Sequence, residues 1–79
     1  MKNLLVDVLG LYLANGKIKP LRFKYDDQLV AVQKVLKVEV ENIAGNKRVV
    51  FTCLHVNNHT RFTYQLKYEI ESFKWYLFY

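Results

Sequence analysis

The sequence predicts a small, all-β, antiparallel domain, and three observations predict it. Apolar and polar side chains alternate with period two over much of the chain. Turn-forming dipeptides cut it into six segments. Val, Ile, Thr, Tyr, Phe and Trp crowd into those segments. Period-two alternation marks a strand with one buried and one solvated face. β-Branched and aromatic residues are the ones that fit a pleated surface.

The first segment, residues 3–14, admits two readings. Leu5, Leu9 and Tyr12 or Leu13 fall at helical spacing. Gly10 and the Asn15-Gly16 pair that follows favour a strand folded back on residues 17–25. Asn-Gly is the strongest short hairpin signal, because a type I′ turn needs positive φ at both central residues. In the second segment Leu21, Phe23 and Tyr25 alternate with Arg22 and Lys24. Pro20 brings no ladder donor, so it belongs at a strand start, an edge or a bulge. Asp26-Asp27 marks the next turn.

The third segment runs long without a turn. Val30, Val32, Leu36, Val38 and Val40 share one parity, opposite Gln33, Lys37, Glu39 and Glu41. Lys34 falls on the apolar parity, and a bulge or bend there accounts for it. A strand of this length in so small a domain must bend and serve two sheets. Ala44-Gly45-Asn46 ends it. The fourth segment, Arg48 to Val56, is continuously apolar and β-branched, as expected of a central strand. Asn57-Asn58-His59 turns the chain into the fifth. There Phe62, Tyr64, Leu66, Tyr68 and Ile70 alternate with Arg61, Thr63, Gln65, Lys67 and Glu69. Residues 66–77 also carry helical spacing through Leu66, Ile70, Phe73 and Leu77, but this alternation favours strand, turn at Glu71-Ser72, then strand. The sixth segment, Phe73 to Tyr79, is almost wholly aromatic and aliphatic. Five to six strands, one of them long and bent, predict a small barrel or a pair of orthogonal sheets.

The totals agree with this. A chain of 79 residues allows one domain, spanning 1–79. Such a domain buries only about 60% of its unfolded surface, so large aromatic rings must complete a thin core. Hydrophobic residues make up 52% and aromatics 15%, which excludes a disordered chain. Cys53 is the single cysteine. A disulfide framework needs pairs, so the lone thiol predicts a reducing, cytoplasmic setting. Leu4 to Ala14 is the longest apolar stretch; Asp7 and Gly10 interrupt it and it is too short to span a membrane. The net charge of +5 favours contact with anions and also serves solubility.

Taken in order, Asn15-Gly16-Lys17-Ile18-Lys19-Pro20-Leu21-Arg22-Phe23-Lys24-Tyr25, then Val32-Gln33-Lys34-Val35-Leu36, then Tyr64, Leu66, Tyr68 and a closing Trp75-Tyr76-Leu77 form a pattern. It resembles small bacterial proteins with an SH3-like barrel, over roughly residues 15–77. In those a Gly-x-Ile-x-Pro-x-x-Phe-x-aromatic hairpin precedes a Val-x-x-Val strand, and a Trp-x-Leu strand closes the chain. The resemblance implies a fold and no activity, and it carries over no catalytic residue.

Chemistry-bearing constellations are few. Cys53 and His55 share a strand face and His59 follows in the turn. They fall short of a closed tetrahedral metal set, and a lone cysteine on an apolar strand more often packs as a small hydrophobe. No orienting acid or oxyanion turn supports a Cys–His nucleophile. Asp26 and Asp27 suit a turn. Glu69 and Glu71 share a face, as exposed strand residues do. The three glycines lie far apart, so no phosphate loop exists. No catalytic, cofactor or metal site is expected, and the chain is read as non-enzymatic.

Two surfaces remain. Arg22, Lys24, Lys37, Arg61 and Lys67 make a candidate basic face for a nucleic-acid strand, but alternation puts Phe23, Tyr25, Phe62 and Tyr64 on the opposite side, away from base stacking. Phe73, Trp75, Tyr76, Phe78 and Tyr79 make a candidate interaction strand, apolar on both faces. Such a strand is either central or covered by a partner. The expected function is a binding or protein-interaction module, its partner a second protein or a second copy of the chain. Nucleic-acid binding is the alternative, and no membrane partner is expected.

Overall fold

The computed structural model describes residues 1–79. Its eight strands are β1 (Asn3–Val6), β2 (Val8–Tyr12), β3 (Ile18–Tyr25), β4 (Gln28–Ala31), β5 (Lys34–Ile43), β6 (Asn46–Asn57), β7 (Thr60–Glu69) and β8 (Lys74–Phe78). They form two antiparallel sheets, one of five strands in the order β1-β8-β7-β6-β5 and one of three in the order β2-β3-β4. Both ambiguous stretches, 3–14 and 66–77, are therefore strands. No helix is long and apolar enough to cross a membrane.

The six expected segments yield eight strands because two of them change sheet. Residues 3–12 bend at Asp7, and residues 28–43 bend at Val32-Gln33. Single hydrogen bonds brace each corner. The Lys24 N–H donates to the Asp7 carbonyl at 2.9 Å, and the Val32 N–H to the Leu21 carbonyl at 2.9 Å. Ladder pairing stops at these corners, so the fold is two joined sheets and not a closed barrel. The third segment is long and bent as the sequence predicts, with a register shift between Val35 and Lys37.

Two details depart from the alternation. In β3 the register slips opposite Leu9 and Gly10, so that Leu9 faces Arg22 and Gly10 faces Pro20. Leu21 is the extra residue of a bulge and lies exposed, while Pro20 takes the buried place expected of it. Proline tolerates this because a bulge leaves its nitrogen free of ladder duty. The Asn15-Gly16 turn is also not type I′. Only Gly16 has positive φ, +88°. The Gly16 N–H donates to the Leu13 carbonyl at 2.9 Å, and Asn15 Oδ1 accepts from the Lys17 N–H at 3.0 Å. This is a three-residue loop with glycine in the left-handed bulge position. True two-residue turns occur at Asp26-Asp27, with φ of 52° and 62°, and at Ala44-Gly45, with φ of 53° and 82°.

The core lies between the sheets. Phe23 from the small sheet meets Phe51, Cys53, Tyr64, Leu66, Tyr68, Trp75 and Leu77 from the large one. Tilted aromatic contacts at 4.9 Å between Tyr68 and Trp75 and 5.6 Å between Phe51 and Trp75 fill it. These spacings are favourable for offset rings. Five aromatic rings among eight core residues explain how so short a chain closes a core.

Candidate functional site

The basic face does not assemble. Register places Arg22 and Lys24 on the outer side of the small sheet, since Phe23 between them is core. Lys37, Arg61 and Lys67 lie on the outer side of the large sheet, in the parity opposite Leu66 and Tyr68. The two groups sit on opposite layers. Lys67 is also spent: its Nζ bonds Glu41 at 3.0 Å and lies 4.3 Å from the centre of the Phe78 ring. Lys37 pairs with Glu39 at 3.3 Å.

The terminal strand is divided. β8 runs between β1 and β7, so its backbone is paired on both sides. Trp75 is core, and Tyr76 and Phe78 lie half-buried on the outer face. There the Arg48 guanidinium covers Tyr76 at 5.1 Å, as Lys67 covers Phe78. Cations held over the rings stand in for a covering layer. Phe73 belongs to the preceding turn, 76% exposed with φ of +59°. The central position thus accounts for a strand apolar on both faces. Tyr79, just past its end, lines a cavity together with Leu77.

That cavity lies between the sheets at the end where β3, β6, β7 and β8 converge. It holds about 350 Å³ and is lined by Phe23, Tyr25, Val30, His55, Phe62, Tyr64, Leu77 and Tyr79. Parity brings these residues inward. His55 faces Phe62 across the β6–β7 ladder, their rings 5.2 Å apart, and the Phe62 ring lies 6.5 Å from Tyr64. On the far wall Tyr25 meets Tyr79 edge to face at 5.5 Å, and their hydroxyls hydrogen-bond at 3.0 Å. That bond pushes the Tyr25 phenol above its usual range. The layer of aromatics is not sealed. Phe62 remains 47% exposed, Tyr25 38% and Tyr79 37%.

One polar group beside the cavity has only a weak partner. The Tyr64 hydroxyl is buried, with the Cys53 thiol as its polar neighbour. Its neighbour, the Cys53 thiol, is turned toward the Phe51 carbonyl at 3.6 Å. Burial pushes the Tyr64 phenol far up and the thiol up to about 11. Cys53 is wholly buried, which places it in the core; His55 is on the cavity wall and His59 in the exposed β6–β7 turn. Asp26 and Asp27 supply the β3–β4 turn. Glu69 accepts from Ser72 at 2.6 Å, Asn46 at 2.9 Å and Arg48 at 3.2 Å, whereas Glu71 is exposed in the turn beyond.

Sequence reasoning treated Phe62, Tyr64 and Tyr25 as core and did not single out His55 or Phe62 as a wall. Nothing local marks them; the cavity arises from strand ends that meet only after both corners form. Comparison of the chain with protein-family models, with curated proteins and with solved structures gives no match.

Proposed function

We propose that the chain is a non-enzymatic binding module that takes a flat aromatic group, such as an indole side chain of a protein partner, into the cavity between its sheets. The observation that carries this is the half-exposed ring of Phe62, Tyr25 and Tyr79 around an apolar cavity of about 350 Å³ whose wall also holds the His55 imidazole. Ligand sites are mostly apolar with a few placed polar groups, and this wall has that make-up. The exposed Tyr25 and Tyr79 hydroxyls and the His55 imidazole on the wall offer partners to an indole N–H.

The closing Trp75–Leu77 strand, paired with the first strand around a two-sheet core, supports an SH3-like reading of the fold. The lone buried thiol supports a cytoplasmic setting. Nucleic-acid binding is the weaker reading. The cavity wall holds no Lys or Arg, and the cations proposed for it face away on two layers.

Titration with N-acetyl-tryptophanamide, followed by aromatic NMR shifts, tests the proposal. Saturable shifts at His55, Phe62 and Tyr79 are expected. Phe62→Ala is expected to weaken binding about two- to tenfold, the equivalent of one aromatic contact. Tyr79→Phe separates function from folding: it keeps the packed ring, removes only an exposed hydroxyl, and weakens the ligand. Shifts scattered over the whole surface, or none at the cavity, reject the site.

A further inference from the structure

β5 is an outer strand of the larger sheet, hydrogen-bonded to β6 alone. It also packs almost wholly on β6; Val35 reaches the core and Val38 borders a cleft with Gly16, Lys17 and Ile18, and beyond them the inner face is open. Val38 is 56% exposed and Val40 69%, on the side where the other strands of the sheet carry core. Long, exposed, apolar edges recruit other strands, and proteins blunt them with bulges, prolines or inward charges. Here a bulge at Leu36 disrupts one end. From Lys37 to Ile43 there is no bulge, proline or inward charge; the charges of this stretch, Lys37, Glu39 and Glu41, all lie on the outer face.

The backbone of this edge is readable from the turn. The two-residue Ala44-Gly45 turn makes Ile43 and Asn46 a hydrogen-bonded pair. Alternation by two then aims Glu41, Glu39 and Lys37 at β6. The N–H and C=O groups of Val38, Val40 and Asn42 face the open side.

We propose that the chain forms a homodimer by antiparallel pairing of β5 with β5 of a second copy, centred on Val38. Two-fold pairing makes one residue face itself, and charge chooses which. Centred on Val38, Lys37 faces Glu39 of the second copy, Glu39 faces its Lys37, and no like charges meet. Centred on Glu39, that carboxylate faces its own copy. Centred on Val40, Glu39 faces Glu41. Lys37 and Glu39 are both more than half exposed on one face, so they are free to form a four-cornered arrangement of alternating sign. Opposite charges across a ladder stabilise and like charges destabilise. On the inner face the two Val38 side chains cover each other. The five-stranded sheet continues into the second copy as one sheet. This surface shares no residue with the aromatic cavity and does not rest on the reading of that cavity.

Sedimentation equilibrium of the full chain over a concentration series tests it, with circular dichroism as a check that each variant folds. The wild-type protein is expected to reach twice the monomer mass. Lys37→Glu and Glu39→Lys are each expected to lose the dimer, because each sets like charges face to face. Mixing the two variants is expected to restore a dimer, since the acidic edge of one meets the basic edge of the other. The exposed Lys37–Glu39 pair within one chain cannot produce that rescue. A wild-type protein that stays monomeric, single variants that stay dimeric, or a mixture that stays monomeric each overturns the proposal.

Discussion

Glu69 carries the densest polar contacts of any side chain in the molecule. Hydrogen bonds from Ser72 and Asn46, followed by the Arg48 guanidinium, hold its carboxyl at about 2. A carboxylate depressed in the folded state contributes stability that is fully present above its unfolded range, near 4.5, and is lost as pH falls toward about 2. Urea unfolding measured from pH 6 to pH 2 is therefore expected to show a falling acid limb that Glu69→Gln flattens. Cys53 behaves oppositely. Burial raises its thiol to about 11, and it has no exposed surface. The thiolate is the reactive form, so labelling by iodoacetamide at pH 8 is expected only once the protein unfolds. Labelling of the native protein at the rate of a free thiol would contradict the burial. The lone cysteine was legible as a packing residue from its apolar strand alone. The pairing partners of Glu69 were not, because Asn46 and Arg48 lie more than twenty residues away in sequence.

Strands differ in how openly they declare themselves. β7 reads directly, since every residue from Arg61 to Glu69 keeps its parity and no bulge intervenes. β3 and β5 do not, because one extra residue in each, Leu21 and Leu36, moves to the exposed side without any change of residue type. Bulges are set by the strands opposite, which a local pattern cannot see. The turn at Asn15-Gly16 departs from type I′ for a related reason: Asn-Gly specifies a two-residue loop only when the flanking pairs close around it, and here Leu13 and Lys17 close a wider one. The β5–β6 turn shows what local chemistry leaves on the table. Ala44 holds φ of +53°, where a Cβ is crowded. Ala44→Asn, which gives the favoured Asn-Gly turn, is expected to stabilise the fold by about 0.5–1 kcal/mol in urea midpoints at unchanged slope. A lower midpoint would mean that the turn is not the type I′ hairpin described.

At the scale of the whole molecule, neighbouring segments pair in chain order, each with the next, until β8 closes on β1. The sequence announces six segments but not where two of them bend, and the cavity depends on those bends. The closure is tight: the Lys2 and Tyr79 backbones exchange hydrogen bonds at 2.6 and 3.0 Å. A circular permutant that links these residues through a few glycines and opens the exposed Asn58-His59 turn is expected to keep the wild-type circular dichroism spectrum. Its melting temperature is expected within about 10 °C of the wild type, a loss of one or two kcal/mol in a domain of this size. Collapse of the permutant would show that the β6–β7 hairpin must be continuous for the domain to fold.

Placing residues 2 and 79 side by side also decides how the domain answers a pull. β1 and β8 are antiparallel, and the ends of both strands emerge at the same rim, Asn3 opposite Phe78. A load applied through the two ends therefore draws the strands apart crosswise. It breaks their hydrogen bonds one after another, like a zip, and never loads the whole ladder in shear. As a link in a stretched tether this domain would be compliant: it would open from the rim at low force, and its first strand would peel away before the core of β6 and β7 felt the strain.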